Sequence, residues 1–238
     1  MNKEVQHPVV SKSEWLEARQ KLLAKEKTMT RLQDELSQER RRLPWVRIEK
    51  EYLFEGPDGI ETLADLFEGR SQLVIYHFMF GPDDDVGCKH CSLRADGFDG
   101  INIHLKHRDV TMIAVSRAPY TKLAAYRKRM GWGFKWVSSG KSDFNLDFHV
   151  SFTPEELAKK EAFFNYELQD PGPADREGHS VFWRDHHGAV FHTYSCYARG
   201  NDMLNIHYHY LDMVPKGRDE NGRGPYWVRR HDEYGVEK

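Results

Sequence analysis

Cys88-Lys89-His90-Cys91 places two thiols three residues apart, directly after an apolar run and a polar loop. If a helix starts at the first cysteine, its unpaired amide hydrogens and the positive end of its dipole favour a thiolate there. Lys89 and His90 add cationic or protonatable groups beside it. Such settings lower a thiol pKa from about 8.5 toward 7 or below, which populates the nucleophile at neutral pH. One helical turn then brings Cys91 back to Cys88. The chemistry expected is thiol–disulfide exchange, in which Cys88 attacks a disulfide and Cys91 resolves the mixed disulfide. Asp83, Asp84 and Asp85 work against this if their side chains face the sulfur.

The same spacing is half of a zinc site, but no second Cys-x-x-Cys exists, so a four-cysteine site is excluded. Thirteen histidines keep an alternative open, in which Cys88, Cys91 and histidine hold zinc or copper. His207 and His209 read as alternating on a strand and pointing the same way, with His186 and His187 in a turn and His192 on a strand. No tight histidine spacing accompanies the pair, so surface or hydrogen-bonded histidines are the simpler reading and no metal is assigned. Cys196, among tyrosines, reads as a buried small hydrophobe, the alternative being a thiol that resolves a sulfenic acid on Cys88. Tyr194, Tyr197, Arg199, Tyr208 and Tyr210 either line a pocket near the dithiol or fill core and rim. Gly140-Lys141-Ser142 echoes a phosphate-binding loop, but Lys135 stands where that loop needs glycine.

The elements that must hold these residues follow from pattern. Leu73 to Phe80 is apolar throughout, as suits a central strand covered on both faces. A helix from the cysteines to about His107 follows, then a strand over Val110–Val115, a helix over Tyr120–Met130 and a short strand over Phe134–Val137. Trp45 to Phe54 alternates like a strand, Glu55 to Gly59 signals a turn, and Ile60 to Phe67 reads as a short strand or helical turn. Thr153 and Pro154 start a helix expected over Glu155–Leu168. Val181–Arg184 and Ala189–Ser195 flank a hairpin turn at Asp185-His186-His187-Gly188. Upstream, Ser11 and Glu14 form a capping box for a helix running to Leu43 and stopped by Pro44. Its stripe of Trp15, Ala18, Leu22, Met29, Leu32, Leu36 and Leu43 is broken by Lys25 and Glu39, which argues against a long coiled coil and leaves a brace or a homodimer contact.

Parallel strands joined by helices and closed by a hairpin predict a three-layer α/β sandwich. At 238 residues, one enlarged domain is expected: residues 45–215, preceded by a helical extension over 1–44 and followed by a charged, loop-rich tail over 216–238. Basic and acidic residues balance at 35 and 37, which speaks against nucleic acid as a partner. Mean hydropathy is -0.75, and no apolar run approaches a membrane span or a secretory leader, so a soluble cytoplasmic protein is expected.

The segment FEGPDGIETLADLFEGRSQLVIYHFMFGPDDDVGCKHC resembles the start of the peroxiredoxin-like branch of the thioredoxin superfamily. EWLEARQKLLAKEK, LPWVRIEKEY, YHFMFGPD, VFHTYSCYARGNDMLN and YHYLDMVPKGRDE resemble a thioredoxin-like family of unassigned function, labelled predicted dithiol-disulfide oxidoreductases. The likeness spans about Glu14 to Tyr234 and implies a thioredoxin-like fold. Where peroxiredoxins carry Pro-x-x-x-Thr-x-x-Cys, this chain has Gly81 and Asp85. Thioredoxins place a cis-proline before the strand facing the cysteines; with that strand starting at Val181, the preceding residues are His179 and Ser180. The resulting expectation is a dithiol-disulfide oxidoreductase with Cys88 and Cys91 catalytic, and Lys89, His90, His179, Tyr194 and Arg199 modulating or substrate-binding. A protein or small-molecule disulfide is its substrate, a second thiol system its electron donor, and no organic cofactor is implied. A binding module using the long helix and the aromatic C-terminal half is the other alternative.

Overall fold

The computed structural model describes residues 6–235; the outermost residues of the two expected extensions lie outside that range. The first element is α1 (Lys12–Arg42). Ser11 and Glu14 close its capping box, and it ends just before Pro44. None of its residues is buried.

The stretch read as one strand from Trp45 to Phe54 is two separate pieces, β1 (Val46–Arg47) and the start of β2 (Leu53–Gly56), because they join opposite edges of the sheet. β2 turns through Pro57-Asp58 into β3 (Gly59–Thr62), where Gly59 takes φ +109°, a value costly for any side chain. A 3-10 turn follows at Asp65–Phe67, so both readings of this stretch are realised in sequence.

β4 (Gln72–His77) leads through the cysteine loop into α2 (Lys89–Phe98) and α3 (Asn102–Lys106). β5 (Val110–Ser116), α4 (Tyr120–Met130) and β6 (Lys135–Ser138) come next. After α5 (Phe144–Asp147), α6 covers only Pro154–Lys159. The expected helix to Leu168 is instead the hairpin β7 (Ala162–Phe164) and β8 (Glu167–Gln169). Lys160 adopts the left-handed conformation that ends the helix, and Asn165 and Tyr166 both take positive φ, the backbone of a tight hairpin turn. β9 (Gly178–Arg184) and β10 (Val190–Tyr197) form the expected hairpin, with the Asp185 carboxylate accepting from the His187 and Ala189 amides. His207 and His209 sit on a helix, α7 (Ile206–Leu211), rather than a strand, because the Asn205 carbonyl accepts from the Tyr208 and His209 amides. Two residues apart on a helix, they point in different directions.

The eight strands of the main sheet run in the order β1-β10-β9-β4-β5-β6-β2-β3. β4, β5 and β6 are parallel; β9 runs antiparallel on the other side of β4. Strand alternation sends Tyr76, Met112, Ala114 and Trp136 toward α2 and α4, and Leu73, Ile75, Ile113 and Val137 toward the β2–β3 hairpin, the 3-10 turn and α5. This is a three-layer α/β sandwich of thioredoxin-like topology, with β4 at its centre and the cysteine pair at the carboxyl end of β4.

Candidate dithiol site

The site begins where β4 stops pairing on both sides. The Phe78 amide still donates to the Val115 carbonyl, and Phe78 and Phe80 fill the core beneath α4. The loop that follows is fixed at each end. Asp84 accepts the Gly81 amide at 2.7 Å, Lys122 donates to the Pro82 and Asp84 carbonyls, and the Cys88 amide donates to the Met79 carbonyl. Gly87 threads between two aromatic rings; a Cβ there would lie 2.8 Å from Phe78 and 2.9 Å from Tyr126. Arg230, from the C-terminal segment, donates to the Gly87 carbonyl at 2.8 Å and to the Tyr126 hydroxyl at 2.8 Å.

Cys88 is the N-cap of α2 and is half-buried. Its carbonyl accepts from the Ser92 amide and hydroxyl, which anchors the first turn. Its thiol is lowered to about 7, first by a hydrogen bond from the Cys91 thiol and then by the Cys91 and His90 amides; burial and the Glu177 charge oppose the shift. Cys91 is fully buried, and burial together with the ionised Cys88 pushes its thiol well up. The two sulfurs therefore titrate as a pair with one proton between them.

That proton has a second acceptor. Glu177 Oε2 lies 3.8 Å from Cys91 Sγ. The same carboxylate accepts from the Tyr76 hydroxyl at 2.9 Å and from the buried Arg94 guanidinium at 2.8 Å, and Arg94 also donates to the Asn201 carbonyl. Glu177 immediately precedes β9, which starts at Gly178 rather than Val181. The residue before the strand facing the cysteines is thus a glutamate, and His179 lies within the strand.

The remaining sequence candidates fall in three places. Lys89 and His90 occupy the first turn of α2, His90 being half-buried with its pKa lowered by burial and by Lys89. His179 stacks on Tyr76 at 4.7 Å between centroids, one ring removed from Glu177, and shares a hydrogen bond with Asn201; burial lowers it to about 4. Tyr194 and Arg199 are elsewhere. Tyr194 lies under Arg40 and lines a cleft of about 540 Å3 with Leu43, Pro44 and Cys196. Arg199 is 88 % exposed and paired with Asp202. Cys196 is buried, its thiol donating to Asn201 Oδ1 at 3.4 Å. Among the described residues no group of three or more His, Cys, Asp or Glu side chains converges to hold a metal.

Beside Cys88 opens a cleft of about 400 Å3 lined by Met79, Val86, Arg117, Asp175 and Arg230. Arg117 and Asp175 form a bidentate pair across it. Tyr76, Arg94 and Glu177 are the site residues that sequence reasoning missed.

A family profile described as "Bacterial protein of unknown function (DUF899)" matches residues 4–234. The chain belongs to the DUF899 family. No curated protein matches it. Among solved structures, this DUF899 chain is similar to peroxidoxin BcpB from Mycobacterium tuberculosis, at 11 % identity and TM-score 0.44 over 69 % of this chain and 94 % of that one. It is similar to peroxiredoxin Q from Xanthomonas campestris at 14 % identity and TM-score 0.43, covering 65 % and 87 %. A candidate thiol:disulfide interchange protein DsbE from Chlorobium tepidum gives 12 % and 0.42, covering 71 % and 96 %. The thioredoxin-like assignment of this DUF899 chain rests on its own sheet order and on the helix that starts at Cys88 after the central strand. No helix among the described residues is long and apolar enough to cross a membrane.

Proposed function

We propose that this chain is a dithiol–disulfide oxidoreductase. The observation that carries the reading is the division of labour in the pair: Cys88 is half-exposed and acidified at a helix start, while Cys91 is buried, protonated and beside a carboxylate. The Cys88 thiolate attacks one sulfur of a substrate disulfide, breaking the S–S bond and releasing one thiolate. Cys91 then gives its proton to Glu177 and attacks Cys88, expelling the second substrate thiolate. The products are a Cys88–Cys91 disulfide and a substrate reduced by two electrons. An external thiol reductant reverses the change on the protein. Tyr76 and Arg94 hold the Glu177 carboxylate toward Cys91, and Lys89 and His90 adjust the charge at the mouth.

Stopped-flow reaction with a chromogenic aromatic disulfide, followed by acid quenching and intact mass measurement, tests both steps. Wild type is expected to lose both substrate thiols and end 2 Da lighter. Glu177→Gln is expected to capture the mixed disulfide on Cys88 no more slowly, since the lost charge had opposed the Cys88 thiolate, and to resolve it about 10-fold more slowly, within the usual range for a general base. A Cys88 that forms no mixed disulfide, or a pair that never closes, would refute the proposal.

A further inference from the structure

The α1 arm carries an apolar stripe, interrupted at Lys25 and Glu39, none of whose residues is buried. Trp15, Leu22, Met29, Leu36 and Leu43 recur every seven residues and are 57, 52, 61, 41 and 44 % exposed. Ala18 and Leu32 complete the stripe, and Leu16 and Leu23 broaden it. A seven-residue period is the repeat at which two helices wind around each other, so the partner that fits is another helix of the same period. Among the described residues this chain has no second one: its next longest helix, α4, spans Tyr120–Met130, with Leu123, Tyr126 and Met130 already buried.

We propose that α1 pairs with α1 of a second copy, antiparallel, about a two-fold axis level with Lys27. Charge selects the direction. A parallel pair stacks Lys25 on Lys25 and Glu39 on Glu39 within the seam. In the antiparallel pair, Leu22 faces Leu32 of the partner subunit and Ala18 faces Leu36 of the partner subunit. Met29 covers the stem of the partner subunit's Lys25, whose ammonium reaches water. At the flank, Lys21 lies beside Glu35 of the partner subunit, twice by symmetry. Glu26 approaches its own copy near the axis, but Arg19 already neutralises it at 2.8 Å within each helix. The overlap from Trp15 to Glu39 is about 37 Å of helix. The interface is isologous and closed, so assembly stops at two.

Sedimentation velocity on the full chain tests this. A dimer of the 28.0 kDa chain is expected at micromolar concentration. Leu22→Asp with Leu32→Asp is expected to give a monomer with an unchanged Cys88 alkylation rate, since both leucines are more than half exposed on α1. Lys21→Glu alone is expected to weaken dimerisation about 3- to 10-fold, and Lys21→Glu with Glu35→Lys to restore it. The double exchange separates the two directions, because a parallel pair sets Lys21 against Glu26 of the partner subunit and Glu35 against Arg40 of the partner subunit, and would lose both contacts. Wild type sedimenting as a monomer at 100 µM (about a hundredfold above a micromolar Kd), a dimer indifferent to the leucine changes, or a double exchange weaker than the single one would overturn the proposal.

Discussion

Cys88 is predicted to show a pH profile that only a hydrogen-bonded thiolate gives, and removing one donor should move it by a set amount. Its midpoint lies at about 7 against an ordinary 9.0. At pH 7 half of Cys88 is ionised, where an ordinary thiol is about 1 % ionised, a gain of about 50-fold in thiolate. Nucleophilicity falls with basicity, and two units at a Brønsted slope of 0.4–0.5 cost about 8-fold per thiolate. The net expectation is alkylation about 6-fold faster than a free thiol at pH 7, and about 7-fold slower at pH 10. The curves must cross. Cys91→Ala removes the largest cause of the shift, a hydrogen bond to a charged acceptor. Such a bond is worth about 1.5–3 kcal/mol, or about 1–2 pH units. The donor stabilises the ionised form, so its loss raises the midpoint. Pseudo-first-order iodoacetamide rates, read by intact mass from pH 5 to 10 in a Cys196→Ala background, measure both variants. A midpoint at or above 8.5 with Cys91 present, or one unmoved by its removal, refutes the reasoning.

Other consequences are open to direct measurement. Gly87→Ala forces a methyl between Phe78 and Tyr126; a loss of about 1–3 kcal/mol is expected in urea unfolding, together with a changed Cys88 alkylation rate. Arg230→Ala releases the Gly87 carbonyl and the Tyr126 hydroxyl; hydrogen exchange across residues 83–88 should accelerate while β5 stays protected. His77 and His179 are held neutral by burial, with values lowered to about 3 and about 4. Below pH 6.5 the unfolded chain takes up protons that the folded one refuses, so stability falls as pH falls, by about 4 kcal/mol between pH 7 and 5 for the two together. Urea midpoints at the two pH values should show this loss, and His77→Gln should cut it by about half.

The central half of the fold was legible because its signals are local and redundant. Leu73 to Phe80 is apolar without interruption, Ser11 and Glu14 mark a helix start, and Asp185 to Gly188 is a turn whose carboxylate caps its own backbone. The cysteine pair was legible for the same reason. The stretch after Lys159 misled because Phe163, Phe164 and Leu168 fit a helical spacing as well as an alternating one; the left-handed Lys160 and the Asn165–Tyr166 turn decided between them. Ile206 to Leu211 misled in the opposite sense, where alternating histidines and tyrosines mimic a strand. Glu177 was invisible for a deeper reason. Its role comes from the pairing of β9 with β4, and starting that strand three residues late put His179 and Ser180 in its place.

The separation of 86 residues between Cys91 and Glu177 also bears on how the molecule matures. β4, α2 and β5 are neighbours in sequence and can associate through short loop closures, whereas β9 must return across the whole intervening chain. Long-range antiparallel pairing of this kind belongs to the slow class of folding events. This topology predicts that the thiols gather at their helix start before their carboxylate is delivered, so that refolding in an oxidising buffer traps the pair as a disulfide more readily than oxidation of the finished protein.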